Sequence, residues 1–347
     1  MPLPKLYPRG VGPTLDELSA RLAKGYRVRA FEDSDREPLV ADGNAEAHPM
    51  EAETADEWRH WEAMSPDPAR LRFTLVAPDG SVAGTGSINA GMTPLPDGAQ
   101  FVQVRVTRAH RQRGLGTAML EALEAEAQRR TVPRLLSGTS AAKPFALAWA
   151  TKRGFREIGR RIMSYVEMGS YDPARWHDAL ERVTHDGIRL RSFAEVLAER
   201  DDAGRERFWR ELYEAEGPMW DDIPFSTPMP HWAFERFYGL MVKSGQLLND
   251  LSSVAYDGDT IAGFTATGDR AQKDGWTYMT GVARTHRGRG IAMALKVAAL
   301  ERAKAMGRRA MCTVNDEPNK AMRGVNIKLG YQAVPDSIEL EKRFAEA

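Results

Sequence analysis

Two copies of one short sequence decide the fold: VTRAHRQRGLG at residues 106–116 and VARTHRGRGIA at residues 282–292. They stand 176 residues apart, and the same offset relates Gly154 to Gly330 further along the chain. The segments RVRAF at 27–31 and RLRSF at 189–193 also correspond, at an offset of 162. An internal repeat of this kind indicates that the chain contains two copies of one structural unit. We predict two related domains of roughly 150 residues each.

The repeat sets the predicted boundaries within the 347 residues. We place an N-terminal extension at 1–23, where Leu15, Leu18 and Leu22 indicate a docked helix, and the first domain at 24–169. A linker helix at 170–187 precedes the second domain at 188–347. The turn pair Asp79-Gly80 recurs as Asp257-Gly258 at an offset of 178, so the second half has 16 extra residues before its hairpin.

Periodicity gives the elements of each half. Beyond each glycine-rich turn, apolar residues recur every four positions, the period of a helix that packs one face on a sheet. Those residues are Leu115, Met119, Leu123 and Ala127 in the first copy and Ile291, Leu295 and Ala299 in the second. Each half has the order β, α, α, β-hairpin, β, α, β, α, β. This order predicts an α/β protein whose two tandem domains each have a mixed, mostly antiparallel sheet flanked by helices on both faces.

Composition excludes several classes of protein. Lysine plus arginine and aspartate plus glutamate both number 48, so no net field would recruit nucleic acid or an anionic membrane. The single cysteine, Cys312, allows neither an internal disulfide nor a multi-cysteine zinc site. No secretory leader or membrane-spanning run is recognisable. We therefore expect a cytoplasmic protein without a metal, and the oligomeric state stays open.

The glycine turn itself predicts a phosphate site. Small residues let a ligand approach the backbone, and the free N–H groups of the first helical turn carry partial positive charge. A P-loop would need Gly-Lys-Ser/Thr, and a dinucleotide fingerprint would need a third glycine with a downstream acid, so both are disfavoured. The alternative is a plain glycine-rich turn beside a basic surface cluster.

At these residues the sequence resembles the GNAT family, the Gcn5-related N-acetyltransferases, and in particular its tandem and actinobacterial members. The resemblance covers about 26–169 and 188–345 and implies that acetyl-CoA, or another acyl-CoA, binds with its pyrophosphate at the turn. In the second half the implied cofactor-binding residues are Val282, Arg287, Gly288, Arg289, Gly290, Ile291, Ala292, Asn315 and Asn319. In the first half they are Val106, Arg111, Arg113, Gly114, Leu115, Gly116 and Thr117.

The family also carries an Asn and a Tyr, seven residues apart, near its last helix. The second half has Asn319 and Asn326 at these positions, whereas the first has Lys143 and Ala150. The family's tyrosine protonates the leaving thiolate, and the amide of Asn326 could still donate a hydrogen bond to sulfur. The alternative role of the asparagines is helix capping or turn formation. We predict that the chemistry belongs to the C-terminal domain.

In the GNAT family the segment that is enlarged in the second half forms the helices and loop over the acceptor site, so the resemblance implies that the acceptor binds there. The segment's acids would attract a cationic amine and its aromatic rings would pack against it, although a solvated helix face with core tryptophans would look the same. The acids are Glu211, Glu214, Glu216, Asp221 and Asp222, and the aromatic residues are Trp209, Tyr213, Trp220 and Trp232. Asn326, Glu216 and Asp221 are the predicted catalytic residues. The first half has a similar run, with Glu51, Glu53, Asp56, Glu57, Trp58 and Trp61.

Together these features predict an acetyl-CoA-dependent N-acetyltransferase that acts on a primary amine of a small molecule. Two alternatives remain open at this point: transfer to a protein or peptide amine, and an inactive CoA-binding interaction protein.

Overall fold

The computed structural model describes residues 18, 19, 21–270 and 274–344. The chain divides into two compact units, Met1–Gly159 with Ser337–Ala347 and Arg160–Asp336, here called the first and second units. The last strand of the sequence thus groups with the first unit, which the repeat alone does not predict. Of the predicted N-terminal helix, Leu15 lies outside the described residues, whereas Leu18 is fully buried in the first unit's core.

The first unit is built on a six-stranded sheet of order β1-β2-β3-β4-β5-β13. Neighbouring strands are antiparallel except β4 and β5, which are parallel. The strands are β1 Arg27–Ala30, β2 Leu71–Val76, β3 Val82–Asn89, β4 Gln100–Val106, β5 Arg134–Ser140 and β13 Ser337–Arg343. The helices are α1 Arg36–Asn44, α2 Ala55–Met64, α3 Leu115–Arg129 and α4 Pro144–Thr151.

The second unit repeats this plan with the order β6-β11-β10-β9-β8-β7, and β12 pairs with β6. The boundary between the units falls inside β6. The strands are β6 Arg156–Glu167, β7 Ile188–Ser192, β8 Ser253–Asp257, β9 Thr260–Arg270, β10 Asp274–Val282, β11 Ala310–Asp316 and β12 Gln332–Ala333. The helices are α5 His177–His185, α6 Phe193–Ala198, α7 Asp202–Trp220, α8 Phe234–Phe237, α9 Ile291–Ala305 and α10 Lys320–Lys328, with a π-helical segment at Tyr238–Lys243.

Both units therefore have the predicted fold class, a mixed and mostly antiparallel sheet with helices. The helix face predicted from the period of four is confirmed in each. Met119, Leu123 and Ala127 are fully buried in the first unit, as are Leu295 and, nearly so, Ile291 in the second. Each fully buried Leu, Ile or Met side chain stabilises the fold by about 1.5–3 kcal/mol. The 16 extra residues of the second half lie around α7, which at 19 residues is much longer than α1 or α2.

Candidate functional site

Two parallel strands separate in front of the glycine turn in each unit. In the second unit β10 pairs with β11 only from Gly275 to Thr277, although β10 continues to Val282 and β11 to Asp316. A β-bulge interrupts the pairing of β10 with β9 just after Thr277. In the first unit β4 and β5 pair at only two positions. Each unit thus has a groove whose walls are strand backbones and which leads to a helix N-terminus.

The glycine turns have the conformation expected of a phosphate site. Gly290 is the N-cap of α9 with φ +82°, and Gly288 has φ +79°; in the first unit Gly114 has φ +77°. Gln112, at the position of Gly288, adopts φ +62°, which costs a residue with a Cβ roughly 1–2 kcal/mol. A Cβ at Gly114 would meet no atom within 4 Å, and one at Gly290 would meet only Val183 at 3.8 Å. Open space therefore lies in front of both turns, where the first N–H groups have no helical partner.

The motif arginine of the second unit, Arg287, forms a brace: it hydrogen-bonds both to the strand that precedes the turn and to Asp222. Arg287 donates from Nε to the carbonyl oxygen of Val282 at 3.1 Å and from Nη2 to Asp222 at 2.5 Å. Arg284 also donates to Asp222, at 2.6 Å. Hydrogen bonds from Arg284 and Arg287 hold the pKa of the Asp222 carboxyl well below its usual range. Arg289 donates to Asp257 and to a backbone carbonyl, so both predicted cofactor arginines already have protein partners.

The first unit reproduces this brace with different residues. Arg111 donates from Nε to Val106 at 3.1 Å and makes a bidentate pair with Glu46 at 2.7 and 2.6 Å. Hydrogen bonding to Arg111 lowers the pKa of Glu46. Arg113 donates to the carbonyl of Ala109. These carboxylate partners lie 65 positions from each motif arginine, so no local sequence pattern predicts them.

An indole packs against the first residues of α3, behind the turn glycine of the first unit. Trp149 on α4 lies 3.4 Å from where a Cβ of Gly116 would stand. The guanidinium carbon of Arg153 lies 4.3 Å from the centre of the Trp149 ring. Arg153 in turn donates to the Thr117 hydroxyl at 2.5 Å. In the second unit the offset of 176 puts Val325 in place of Trp149 and Leu329 in place of Arg153. The side chains around the two grooves therefore differ, although the turns match.

A pair of amides joins α10 to β11, one wall of the second unit's groove. Asn326 on α10 is buried and donates from Nδ2 to Oδ1 of Asn315 on β11 at 2.7 Å. Within the described part of the chain, Oδ1 of Asn326 is buried without a hydrogen-bond partner. A buried polar atom left unpaired costs about 1–3 kcal/mol, so it marks a place for a polar ligand group. Asn319 is the N-cap of α10 and accepts a hydrogen bond from the backbone N–H of Met322, and its predicted contact with the cofactor stays a prediction.

The five acids of the enlarged segment do not converge on one point. Glu216 is buried on the inner face of α7, whereas Asp221 is exposed at the end of that helix. Glu211 and Glu214 border a cavity of about 470 Å³ that Arg284 and Arg287 also line. Trp209 belongs to the core, where its ring packs on Phe193 and Phe208. Of the five acids, Glu216 alone is therefore buried.

A histidine that the sequence analysis missed accompanies Glu216. Nε2 of His231 lies 3.8 Å from Oε2 of Glu216, and the imidazole stacks on Tyr213 with centroids 4.8 Å apart. Trp220 packs on the same imidazole at 5.7 Å. His231 stands in the loop between α7 and α8, with no spacing pattern that could have drawn attention to it. The two motif histidines have local partners: His110 bonds to Tyr26, and His286 bonds to Thr285 and lies near Asp257.

Two other classes of site find no support in the described residues. No three His, Cys, Asp or Glu side chains among them are grouped closely enough to hold a metal ion. Cys312 is buried on β11, and this burial raises the pKa of its thiol to about 11. None of the helices in the described ranges has the length and apolar character needed to cross a membrane.

Comparison with known proteins identifies both halves. The model of the acetyltransferase (GNAT) family matches residues 30–155 and 206–331. A GCN5-related N-acetyltransferase from Sphaerobacter thermophilus is 23% identical, with a TM-score of 0.71, over 93% of this chain and 96% of its own. A tandem GNAT protein from the clavulanic acid biosynthesis pathway is 19% identical, with a TM-score of 0.66, over 93% and 99%. Saccharomyces cerevisiae N-myristoyltransferase with bound myristoyl-CoA is 9% identical, with a TM-score of 0.57, over 99% and 90%. No curated protein matches the sequence.

Proposed function

The chain belongs to the acetyltransferase (GNAT) family, and from this premise we propose that it transfers an acyl group from acetyl-CoA to a primary amine of a small molecule, in the second unit. One observation carries the proposal. The groove between β10 and β11 leads to an open glycine turn at Gly290, and the buried, unpaired Oδ1 of Asn326 belongs to a side chain that bonds to Asn315 on β11. Acyl-CoA has groups for both places: a pyrophosphate for the turn, and amides beside the thioester for the groove.

The residues present fit that cofactor. The N–H groups of 290–292 would hold the pyrophosphate, since they open a 15-residue helix and have no internal partners. The strand backbones after Thr277, where the ladder ends, would bind the amide-bearing arm. Asn326 would accept a hydrogen bond from that arm through Oδ1. The cofactor supplies the activated acyl thioester, and the protein holds it in the groove and excludes water.

The contrast between the units supports chemistry in the second. In the first unit Trp149 packs against Gly116, and Lys143 and Ala150 replace the two asparagines. The braced arginine Arg111 is retained there, so the turn keeps its shape. We therefore assign the first unit a structural role.

The chemistry requires an uncharged amine. An alkylamine resembling lysine has a pKa of about 10.4, so its deprotonation at pH 7 costs roughly 4.6 kcal/mol. A nearby proton acceptor reduces this barrier. The buried Glu216 supports a cationic acceptor molecule, because a buried carboxylate requires a partner of opposite charge. The fold match to a tandem protein of a biosynthesis pathway supports a small molecule over a protein acceptor.

Turnover on a panel of amines tests the proposal. Purified protein is mixed with acetyl-CoA and single amines, and thiol release is measured together with the mass of the product. We expect acetylated amine, with kcat reduced at least 10-fold in Asn326→Ala and unchanged in a control that removes the exposed amide of Gln128. Acetyl-CoA binding without thiol release on any small amine or peptide would instead indicate an inactive binding protein, and acetylation of peptides alone would refute the small-molecule assignment.

A further inference from the structure

We infer that His231 and Glu216 are the proton-accepting pair of the acceptor pocket, and that the pocket takes an amine carried on an aromatic ring. This inference rests on the proposed acyl transfer and names both the base and the substrate class. It concerns the second unit alone. Its evidence is the position of the pair, its geometry and its aromatic surroundings.

The helix and the loop that carry the pair contact the two groove strands beyond the point where these strands separate. Glu216 and Met219 share a face of α7, and the sulfur of Met219 stands 2.5 Å from where a Cβ of Gly281 on β10 would be. The loop that follows α7 reaches the other wall, because the backbone of Ser226 donates a hydrogen bond to Asp316 at the end of β11. His231 belongs to this same loop. The helix that carries Glu216 thus contacts β10, and the loop that carries His231 contacts the end of β11.

The separation within the pair leaves room for an ammonium group. Oε2 of Glu216 and Nε2 of His231 are 3.8 Å apart, which exceeds the length of a direct hydrogen bond. The side chains are only 11% and 22% exposed, so they meet each other away from bulk water. An ammonium nitrogen near both atoms could donate one hydrogen to the carboxylate and another to the imidazole. Nε2 of His231 is therefore placed to take a proton, and the Glu216 carboxylate to stabilise the resulting imidazolium.

The ring of His231 is held by its neighbours. Tyr213 stacks on it at an interplanar angle of 24°, and the Tyr213 hydroxyl donates to the carbonyl of Trp232 at 2.7 Å. Trp220 donates from Nε1 to the carbonyl of Met229 at 2.9 Å, which ties the loop back to α7. A base fixed in this way loses little entropy when it binds the acceptor.

The same rings define the substrate class. Trp220 packs on Phe225 at 5.1 Å as well as on His231, so the imidazole of the pair belongs to a cluster of aromatic rings. Aromatic faces attract both flat rings and cations. An arylalkylamine has a ring for these faces and an ammonium group for the pair.

The step balances in atoms and charge. The ammonium N–H bond breaks and its proton goes to Nε2 of His231; the freed lone pair attacks the thioester carbonyl carbon. The C–N bond forms and the C–S bond breaks. The second proton on nitrogen passes to the departing thiolate, which leaves as the CoA thiol. His231 then returns its proton to water.

Two matched probes test the pair: benzylamine, which is an ammonium ion at pH 7, and aniline, which is uncharged. General-base catalysis contributes typically 10²–10⁴-fold, and only the charged probe needs it. We expect His231→Gln to lower kcat/KM for benzylamine about 100-fold or more, and that for aniline less than about 5-fold. Glu216→Gln should raise KM for benzylamine and leave that for aniline unchanged. The exposed His185, replaced by Gln, is the matched control.

The outcomes separate the two proposals. An equal loss of kcat/KM on both probes in His231→Gln, or no loss on benzylamine, would overturn the base assignment. Turnover of aniline by the same variant shows that the protein is folded. Wild-type protein that binds acetyl-CoA but acetylates neither probe would overturn the pocket assignment and leave the cofactor site standing. Failure to bind acetyl-CoA at all would refute the proposed function instead.

Discussion

The buried amine of Lys296 gives a stability prediction with a definite pH dependence. Lys296 lies on α9 with 2% of its surface exposed, and its Nζ stands 4.9 Å from the centre of the Tyr331 ring. Burial lowers its pKa from 10.5 to about 7. At the equivalent position of the first unit, 176 residues earlier, Leu120 is buried at 3%. The perturbation is therefore Lys296→Leu, which copies a residue that the same fold already accommodates.

The magnitude follows from the two pKa values. A difference of 3.5 pKa units corresponds to roughly 5 kcal/mol. At pH 6 this whole amount destabilises the native state, because the amine of the unfolded chain is fully protonated there. Between pH 7 and 10.5 the unfolded chain binds more protons than the native one, so wild-type stability rises by about 1.4 kcal/mol per pH unit. We expect Lys296→Leu to be more stable than wild type by up to about 5 kcal/mol at pH 6 and by about 2 kcal/mol at pH 9.

Urea unfolding at pH 6, 7, 8 and 9 measures this difference directly. The exposed Lys328 on α10, also replaced by Leu, is the control and should show no such pH dependence. A difference in unfolding free energy that is the same at pH 6 and pH 9 would refute the reasoning, as would a variant less stable than wild type.

Three further predictions concern packing and charge. Gly281→Ala should lower the free energy of unfolding by about 1–3 kcal/mol because its Cβ overlaps a side chain of α7, whereas Gly217→Ala, whose Cβ meets nothing within 4 Å, should not; chemical denaturation compares them. Asp222→Asn should tighten acetyl-CoA binding by about twofold to fivefold, since it removes a negative charge beside the turn and frees Arg287; unchanged or weaker binding by calorimetry would contradict this. Burial opposes ionisation of Glu341, but hydrogen bonds from arginines lower the pKa of its carboxyl to about 2. The stability that this carboxylate contributes is therefore complete above pH 4.5 and is lost as the pH falls towards 2. Glu341→Gln should flatten that part of the acid-unfolding curve.

Local patterns in the sequence predicted what depends on neighbouring residues. Steric and periodic rules that act over a few positions account for three features. These are the helix face of Leu115 and Met119, the hairpin at Asp79-Gly80, and the left-handed glycine before α3 and before α9. The matching offsets of the two copies supplied the tandem organisation. Asn319 followed the capping rule for a short polar side chain at a helix start.

Features that depend on distant pairing were not predictable in the same way. The last strand, β13, pairs with β5, and β6 pairs with β11. Several strands have the same alternation of apolar and polar side chains, so the sequence does not show which of them pair. The brace from Arg287 to Asp222 joins residues 65 positions apart. Glu216 could be singled out as an acid on a helix, but its partner His231 lies in an irregular loop whose path no periodicity fixes.

The central claim is that the protein has one acyl-CoA site, at the glycine turn of the second unit. Calorimetric titration of acetyl-CoA into wild type, Gly114→Glu and Gly290→Glu tests it most directly, because each variant puts a carboxylate where a phosphate would bind. The two glycines have φ of +77° and +82°, so the backbone strain of the two substitutions is matched. We predict one site in wild type, retained in Gly114→Glu and abolished in Gly290→Glu. Two sites in wild type, or loss of binding only in Gly114→Glu, would contradict the claim.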